Sequence, residues 1–374
     1  MKPEDIRQAS ASRLRARALG IVPGDIPAGA LNAITDVPGV LVGHVTLIEG
    51  KNIRTGATAL LPHPGNLFQE KVPAGLSVSN GFGKLTGSTQ LRELGELETP
   101  LILTNTLSVP RAADAILDWT LSYPGNQGVY SVNPVVGETN DGWLNDIRAR
   151  AITSDLVTQA IRSASAGAVE EGVVGAGTGT ICFGWKGGIG TSSRRLPEEE
   201  GGYHLGVLVQ TNYGGSLRIL GTLVGARLNP PDRTDPPPRD QPGSIMIVLA
   251  TDAPLSDRNL ARLARRTFGG LARTGADLSN GSGDYALAFS TAEAVRRTAS
   301  RRTQPMKLTE LPNQALDPLF RATIEATEEA IYNSLFKAVT LRGFRGRVAP
   351  ALPVEQLLSL LNRDNPGNIG VEIL

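Results

Sequence analysis

Residues 230–242 read PPDRTDPPPRDQP and end at Gly243-Ser244, after which the apolar run Ile245-Met246-Ile247-Val248-Leu249-Ala250 begins at once. Proline fixes φ and removes the backbone donor, so neither a helix nor a central strand can run through such a segment. The chain must therefore carry an exposed connection here, opening directly onto a buried strand. The connection leaves 243 residues on one side and 131 on the other. The second piece has too few elements for a separate domain, and its first strand is very apolar. The expectation is one domain over 1–374, interrupted by a loop that can be cut between Gly243 and Ser244. A cut there would make Ser244 a new N-terminus carrying both a hydroxyl and an α-amine. Such a residue can use its own amine as the base that activates the hydroxyl. Taken locally, Ser244 also reads as an ordinary serine opening a strand after a linker.

Composition narrows the partners. Lys and Arg number 37 against 36 Asp and Glu, so no overall field draws nucleic acid or an anionic membrane. The basic stretches 262–266 and 294–302 read as solvated helix faces. A single cysteine, Cys182, excludes an intrachain disulfide and a zinc cluster built on cysteines, and no metal or cofactor is expected. No apolar stretch reaches membrane-spanning length, and the charged start MKPEDIRQASASRLRARALG does not resemble a signal peptide, so a cytoplasmic protein is expected.

Short apolar runs at 39–47, 58–61, 101–105, 206–210, 245–250 and 285–290 read as strands buried on both faces. Between them lie helical patterns at 4–19, 111–119, after Ser256 as N-cap, and from Pro318 with an apolar face of Phe320, Ile324, Ile331 and Leu335. Helices layered on buried sheets predict an α/β or α+β sandwich.

The chemistry-bearing segments are few. The three histidines, His44, His63 and His204, lie outside any nucleophile elbow, and no G-x-S-x-G occurs, which disfavours a Ser-His-Asp triad. The glycines of 80–87 have the spacing G-x-G-x-x-x-G, wrong for dinucleotide binding. Ser282 and Asp284 alternate at the head of a strand, where a hydroxyl and a carboxylate on one face can polarise a nucleophile's hydrogen-bond network. Asn212 ends a strand, where its amide N–H can meet a developing oxyanion. Lys186, between Trp185 and Gly187-Gly188, can hold charge near a site. Each of these also has a plain turn or hairpin reading.

Together the segments Asn32–Val40, Glu98–Thr106, Glu138–Asp146, Lys186–Ser192, Gln210–Asn212, Gly243–Ile245, Ala250–Leu255 and Gly281–Tyr285 resemble the self-processing aminopeptidases. That family includes the L-aminopeptidase/D-Ala-esterase/amidase and the β-peptidyl aminopeptidases. The resemblance implies an α+β fold, an αββα sandwich like that of N-terminal-nucleophile hydrolases with different connectivity. It implies self-cleavage between Gly243 and Ser244 into α and β subunits, 1–243 and 244–374, assembled further as homo-oligomers, often tetramers of heterodimers. It assigns the nucleophile to Ser244, the oxyanion donor to Asn212, and the supporting hydroxyl and carboxylate to Ser282 and Asp284, the last where some relatives have Glu. Small peptides or amino-acyl amides and esters are the implied substrates, with Glu138 the candidate partner of their ammonium group. Some relatives carry a tyrosine near the oxyanion in the stretch matching 140–143. Here Asn140 and Trp143 are the polar candidates instead. A related branch that hydrolyses nylon oligomers uses threonine, so the serine points to the aminopeptidase branch. Acyl transferases of the ornithine acetyltransferase type also cut before a nucleophile and stay open as an alternative, as does a non-catalytic relative.

Overall fold

A computed structural model of the chain describes residues 3–228, 230 and 243–364. Apart from Pro230 and Gly243, the proline-rich connection lies outside the described residues. The first half contains α1 (Pro3–Ser12), β1 (Leu41–Glu49), β2 (Ile53–Leu61), β3 (Val72–Gly81), α2 (Ser88–Glu93), β4 (Glu96–Leu97), β5 (Leu101–Asn105), α3 (Val109–Ser122), β6 (Val135–Thr139) and α4 (Ser154–Arg162). A ribbon of β7 (Ile181–Cys182) and β8 (Trp185–Lys186) leads into β9 (Ile189–Arg195) and β10 (His204–Asn212), followed by a ribbon of β11 (Arg218–Ile219) and β12 (Thr222–Leu223). Beyond the connection come β13 (Ser244–Thr251), α5 (Asp257–Arg273), β14 (Gly283–Ser290), α6 (Asp317–Phe336), a ribbon of β15 (Leu341–Arg342) and β16 (Val348–Ala349), and α7 (Val354–Asp364).

The long strands form two sheets, β1-β2-β5-β6 and β4-β3-β14-β13-β10-β9. Period-two alternation assigns every strand residue to a layer. On β13, Ile245, Ile247 and Leu249 pack with Leu260 and Leu263 of α5 and Ala326 and Ala330 of α6. Met246, Val248 and Ala250 face the other way, against Leu60, Leu101, Leu103 and Val135 of the smaller sheet. That sheet's far side, with Ala57, Ala59, Ile102 and Val136, packs on Ala112 and Ile116 of α3 and Val157 and Ala160 of α4. The order helix, sheet, sheet, helix is the expected αββα sandwich, and it explains why the strands read as buried on both faces.

Helix and sheet approach closely where glycine permits. A Cβ on Gly190 of β9 would lie 2.0 Å from the Ala330 carbonyl oxygen and 2.6 Å from the Ser334 nitrogen of α6. Gly190→Ala is expected to lower the thermal midpoint, at the upper end of the ~1–3 kcal/mol typical of overpacking, because both colliding atoms are helix backbone. Differential scanning calorimetry would register it.

Three local expectations need correction. The helix expected over 4–19 stops at Ser12, followed after a break by a single 3-10 turn, Arg17–Leu19. Tertiary bonds draw this segment out of the helix. Arg13 donates to the Phe336 and Leu352 carbonyls, and the Ala16 N–H donates to Asn333 Oδ1. Ser256 occupies the N-cap of α5, yet its hydroxyl turns to Glu310 rather than to the helix N–H groups. The face expected on α6 does reach the core through Phe320, Ile331 and Leu335, but burial extends to nearly every other side as well: Glu329 pairs with Arg17 and Arg194, and Glu328 with Arg273. Glutamates buried in ion pairs hide an amphipathic pattern from the sequence.

Candidate active site

Three strand ends converge at the proposed cut. Ser244 opens β13, with Asn212 of β10 opposite it on one side and Gly283 of β14 on the other. The Ser244 residue is 3% exposed and Asn212 9%. The Gly283 N–H approaches two acceptors at once, the Gly243 carbonyl oxygen at 3.1 Å and Ser244 Oγ at 3.3 Å. Gly243 itself lies close to the neighbouring strand end: a Cβ there would fall 2.8 Å from Tyr213 Cα.

The Ser282 hydroxyl donates to Asp284 Oδ1 at 2.6 Å. Asp284 Oδ2 is buried without a hydrogen-bond partner among the described residues. Burial pushes this carboxyl above the usual range, while the Ser282 hydroxyl pulls it back. The loop that carries the pair is fastened by Asn80, whose Nδ2 lies 2.8, 3.1 and 2.6 Å from the Ser279, Asn280 and Ser282 carbonyls. A register shift against β3 between Asp284 and Tyr285 marks the same place. The pair's bonded link to Ser244 among the described residues runs through the Gly283 backbone.

The Asn212 amide is held at both ends. Its Oδ1 accepts from the Ile181 N–H at 3.0 Å, and its Nδ2 donates to the Asn140 carbonyl at 3.0 Å. One N–H of Nδ2 lies beyond these two bonds. The Asn140 side chain caps its own turn, its Oδ1 accepting from the Gly142 N–H at 2.9 Å.

Lys186 is no surface hairpin lysine. It is fully buried, with Nζ 2.9 Å from the Gly177 and Thr180 carbonyls and 2.7 Å from that of Gly187. Burial lowers its pKa to about 7, and the charge of Asp141 counters that fall. Asp141, equally buried, is raised to about 7 by desolvation despite bonds from Thr55 and Asn145.

Glu138 ends β6. Its Oε1 accepts from the Lys84 N–H at 3.0 Å and its Oε2 from the Thr106 hydroxyl. Burial raises its pKa as well, these donors and the Lys84 charge opposing. The structure places Trp143 in a separate small cluster with Ile6, Leu144, Val173 and Ala338, where Arg347 lies 5.6 Å from its ring.

The histidines are engaged elsewhere. His44 pairs with Thr58 and is pulled to about 4 by burial, His63 bonds the Glu70 carbonyl, and His204 meets Asp252 at 3.0 Å. A cavity of about 490 Å³ beneath α1, lined by Arg7, Ser10, Arg15, Glu171 and Lys337 among others, shares no lining residue with the Ser244 group. Among the described residues, no group of three or more His, Cys, Asp or Glu side chains is placed to hold a metal, and no helix is long and apolar enough to cross a membrane.

Sequence reasoning did not single out Asn80, Asp141 or the Ile181 and Gly283 N–H groups. Asp141 follows Asn140 in a turn, a local cue. The other three act through backbone atoms or across nearly 200 residues of sequence, where local pattern carries no signal.

An αββα sandwich with a hydroxyl, an amide donor and a hydroxyl–carboxylate pair gathered at adjacent strand ends defines a hydrolase fold of the N-terminal-nucleophile kind. The chain belongs to peptidase family S58, which matches residues 32–349. It is 41% identical over 378 residues to the β-peptidyl aminopeptidase BapA of Sphingosinicella microcystinivorans, covering 95% of this chain and 93% of that one. Among solved structures, the PH0078 protein from Pyrococcus horikoshii OT3 superposes with a TM-score of 0.88 at 47% identity, covering 94% of this chain and all of the other. The L-aminopeptidase D-Ala-esterase/amidase of Ochrobactrum anthropi, described as a prototype for the serine aminopeptidases, gives 0.86 at 36% identity, covering 95% and 99%. The resemblance read from the sequence holds at the level of family and fold.

Proposed function

We propose that this chain is a self-processing serine aminopeptidase that hydrolyses N-terminal amino-acyl amides, esters and short peptides. The observation that carries the reading is the Gly283 N–H shared between the Gly243 carbonyl oxygen and Ser244 Oγ. A donor on that oxygen is what nucleophilic attack by the adjacent hydroxyl requires. In the precursor, Ser244 Oγ attacks the Gly243 carbonyl carbon. The Gly243–Ser244 C–N bond breaks, the nitrogen takes up the proton and becomes the Ser244 amine, and Gly243 is left as an ester on Oγ. Water hydrolyses the ester and returns the hydroxyl. Residues 1–243 and 244–374 are then separate α and β chains of one sandwich.

In the mature enzyme the Ser244 amine, with an ordinary pKa of about 8, accepts the hydroxyl proton as Oγ attacks substrate. The free N–H of Asn212 and the Gly283 N–H receive the oxyanion. The amine or alcohol leaves with a proton, and water releases the acyl group. The unpartnered Oδ2 of Asp284 suits the ammonium form of the new terminus, with Ser282 fixing the carboxylate. Glu138 binds the substrate's ammonium group. Glu138→Gln is expected to raise KM roughly 10-fold or more, as loss of one charge-assisted bond implies, with a smaller change in kcat. Steady-state kinetics on amino-acyl p-nitroanilides would test this.

The names of the relatives support β-amino-acyl and alanyl substrates. Assembly into tetramers of heterodimers is part of the same proposal and would appear in sedimentation velocity. Intact mass and N-terminal sequencing of purified protein test the core of the reading. Chains of 243 and 131 residues, the second beginning Ser244-Ile245-Met246, are expected. A stable uncut chain of 374 residues would overturn it.

A further inference from the structure

We propose that Lys186 and Asp141 are positioning residues for the oxyanion donor, together clamping both ends of the Asn212 amide. This rests on the serine aminopeptidase reading above and assigns a role within that same site. An oxyanion donor works only when it is already aimed, because reorienting a dipole during reaction forfeits the gain. The Asn212 amide can rotate about its terminal torsion, which is broad and roughly two-fold. Two backbone groups stop it: the Ile181 N–H on Oδ1 and the Asn140 carbonyl on Nδ2, each at 3.0 Å. Neither is held by the two large sheets: Asn140 lies just past the end of β6, and Ile181 opens the two-residue strand β7 of a short ribbon.

A buried side chain secures each. Lys186 Nζ gathers three carbonyls, Gly177, Thr180 and Gly187. Thr180 immediately precedes Ile181, so the ammonium fixes the peptide unit that presents the Ile181 N–H. Asp141 immediately follows Asn140, so its anchoring fixes the peptide unit that presents the Asn140 carbonyl. Its Oδ1 accepts from Asn145 Nδ2 at 3.0 Å, and Thr55 bonds it as well. Its own carbonyl accepts from the Leu144 and Asn145 N–H groups, closing the turn. The opposite charges also favour each other: Asp141 supports the ammonium of Lys186 in a setting whose burial works against it. A methionine could fill the Lys186 space. It would take the shared charged donor from all three carbonyls, leaving Gly177 and Thr180 only the bonds from the Thr180 hydroxyl and the Gly187 N–H, and it would loosen the 177–181 turn.

The test is a double-mutant cycle on the full chain. Lys186→Met, Asn212→Ala and the double variant are assayed on β-alanyl and L-alanyl p-nitroanilides. Turnover is normalised to the fragment bearing a free Ser244, and circular dichroism verifies folding. Lys186→Met alone is expected to lower kcat about 10- to 100-fold, a fraction of the ~10²–10³ that a whole donor supplies, with KM changed less than about threefold. In the Asn212→Ala background the same substitution should cost no more than about twofold, because the group it aims is gone. An equal loss in both backgrounds, an unchanged kcat, or a loss confined to KM would overturn the proposal. If Lys186→Met does not accumulate folded, the nearly isosteric Asp141→Asn takes its place in the same cycle, with the same expectations. The parent reading fails differently: an Asn212→Ala enzyme with unchanged kcat removes the donor role itself. An impaired Asn212→Ala beside a normal Lys186→Met removes only the clamp.

Discussion

Ser244→Ala is expected to yield a single uncut chain of 39.4 kDa with no measurable turnover. Removing the nucleophile of a serine hydrolase typically costs on the order of 10⁶ in kcat, more than any supporting group. Here it should cost more still, because the same hydroxyl is proposed to create the amine that serves as its base. The fold should survive. Ser244 is buried at a strand end, and the bond its hydroxyl accepts from the Gly283 N–H duplicates one to the Gly243 carbonyl. Electrospray mass measurement, a p-nitroanilide assay and a thermal melt on one preparation decide the matter. An alanine variant that is cut, or that turns over, would show that neither step runs through this hydroxyl.

Asn212→Ala should lower kcat by ~10²–10³ while leaving KM nearly unchanged, because the donor is needed most when negative charge develops. The amide also ties Ile181 and Asn140 together. Some loss of thermal stability is therefore expected, at about 1–3 kcal/mol for the buried groups left unpaired. Asn212→Asp places an acceptor where a donor is needed and should be at least as damaging to kcat. An alanine variant that raised KM alone would identify Asn212 as a substrate contact instead.

Much of this architecture could be read from the sequence, for a definite reason. Strands in the middle of a four-layer sandwich are apolar on both faces, so 101–105, 206–210, 245–250 and 285–290 stand out as runs. Those that escaped are less uniform: β3 turns polar towards Ser77, Ser79 and Asn80, β6 ends in Glu138-Thr139, and β9 carries Thr191-Ser192-Ser193-Arg194. The charge of Arg194, buried at 0% exposure, is balanced by Glu325 and Glu329 reaching it from α6, a pairing across more than 130 residues. The candidate site divides in the same way. Ser244, Ser282, Asp284 and Asn212 could be named because side-chain chemistry and position on a strand carry local meaning. The Gly283 N–H, the Ile181 N–H and the three-carbonyl cradle of Lys186 are backbone geometry, which exists only after the sheet has formed. The buried state of Lys186 was equally out of reach, since its glycine neighbours suit a solvent-facing hairpin as well.

The strand order of the larger sheet has a consequence for the proposed cut. β14 and β13 lie side by side in the centre, with β3 and β4 on one flank and β10 and β9 on the other. A break ahead of Ser244 assigns the central pair to one polypeptide and both flanks to the other. Neither fragment then owns a continuous larger sheet, so separating the fragments and unfolding them become the same event. Reassembly changes from a unimolecular to a bimolecular process. The melting temperature of the mature enzyme should therefore rise with protein concentration, whereas that of an uncut Ser244→Ala chain should be insensitive to dilution if the chain melts as a monomer.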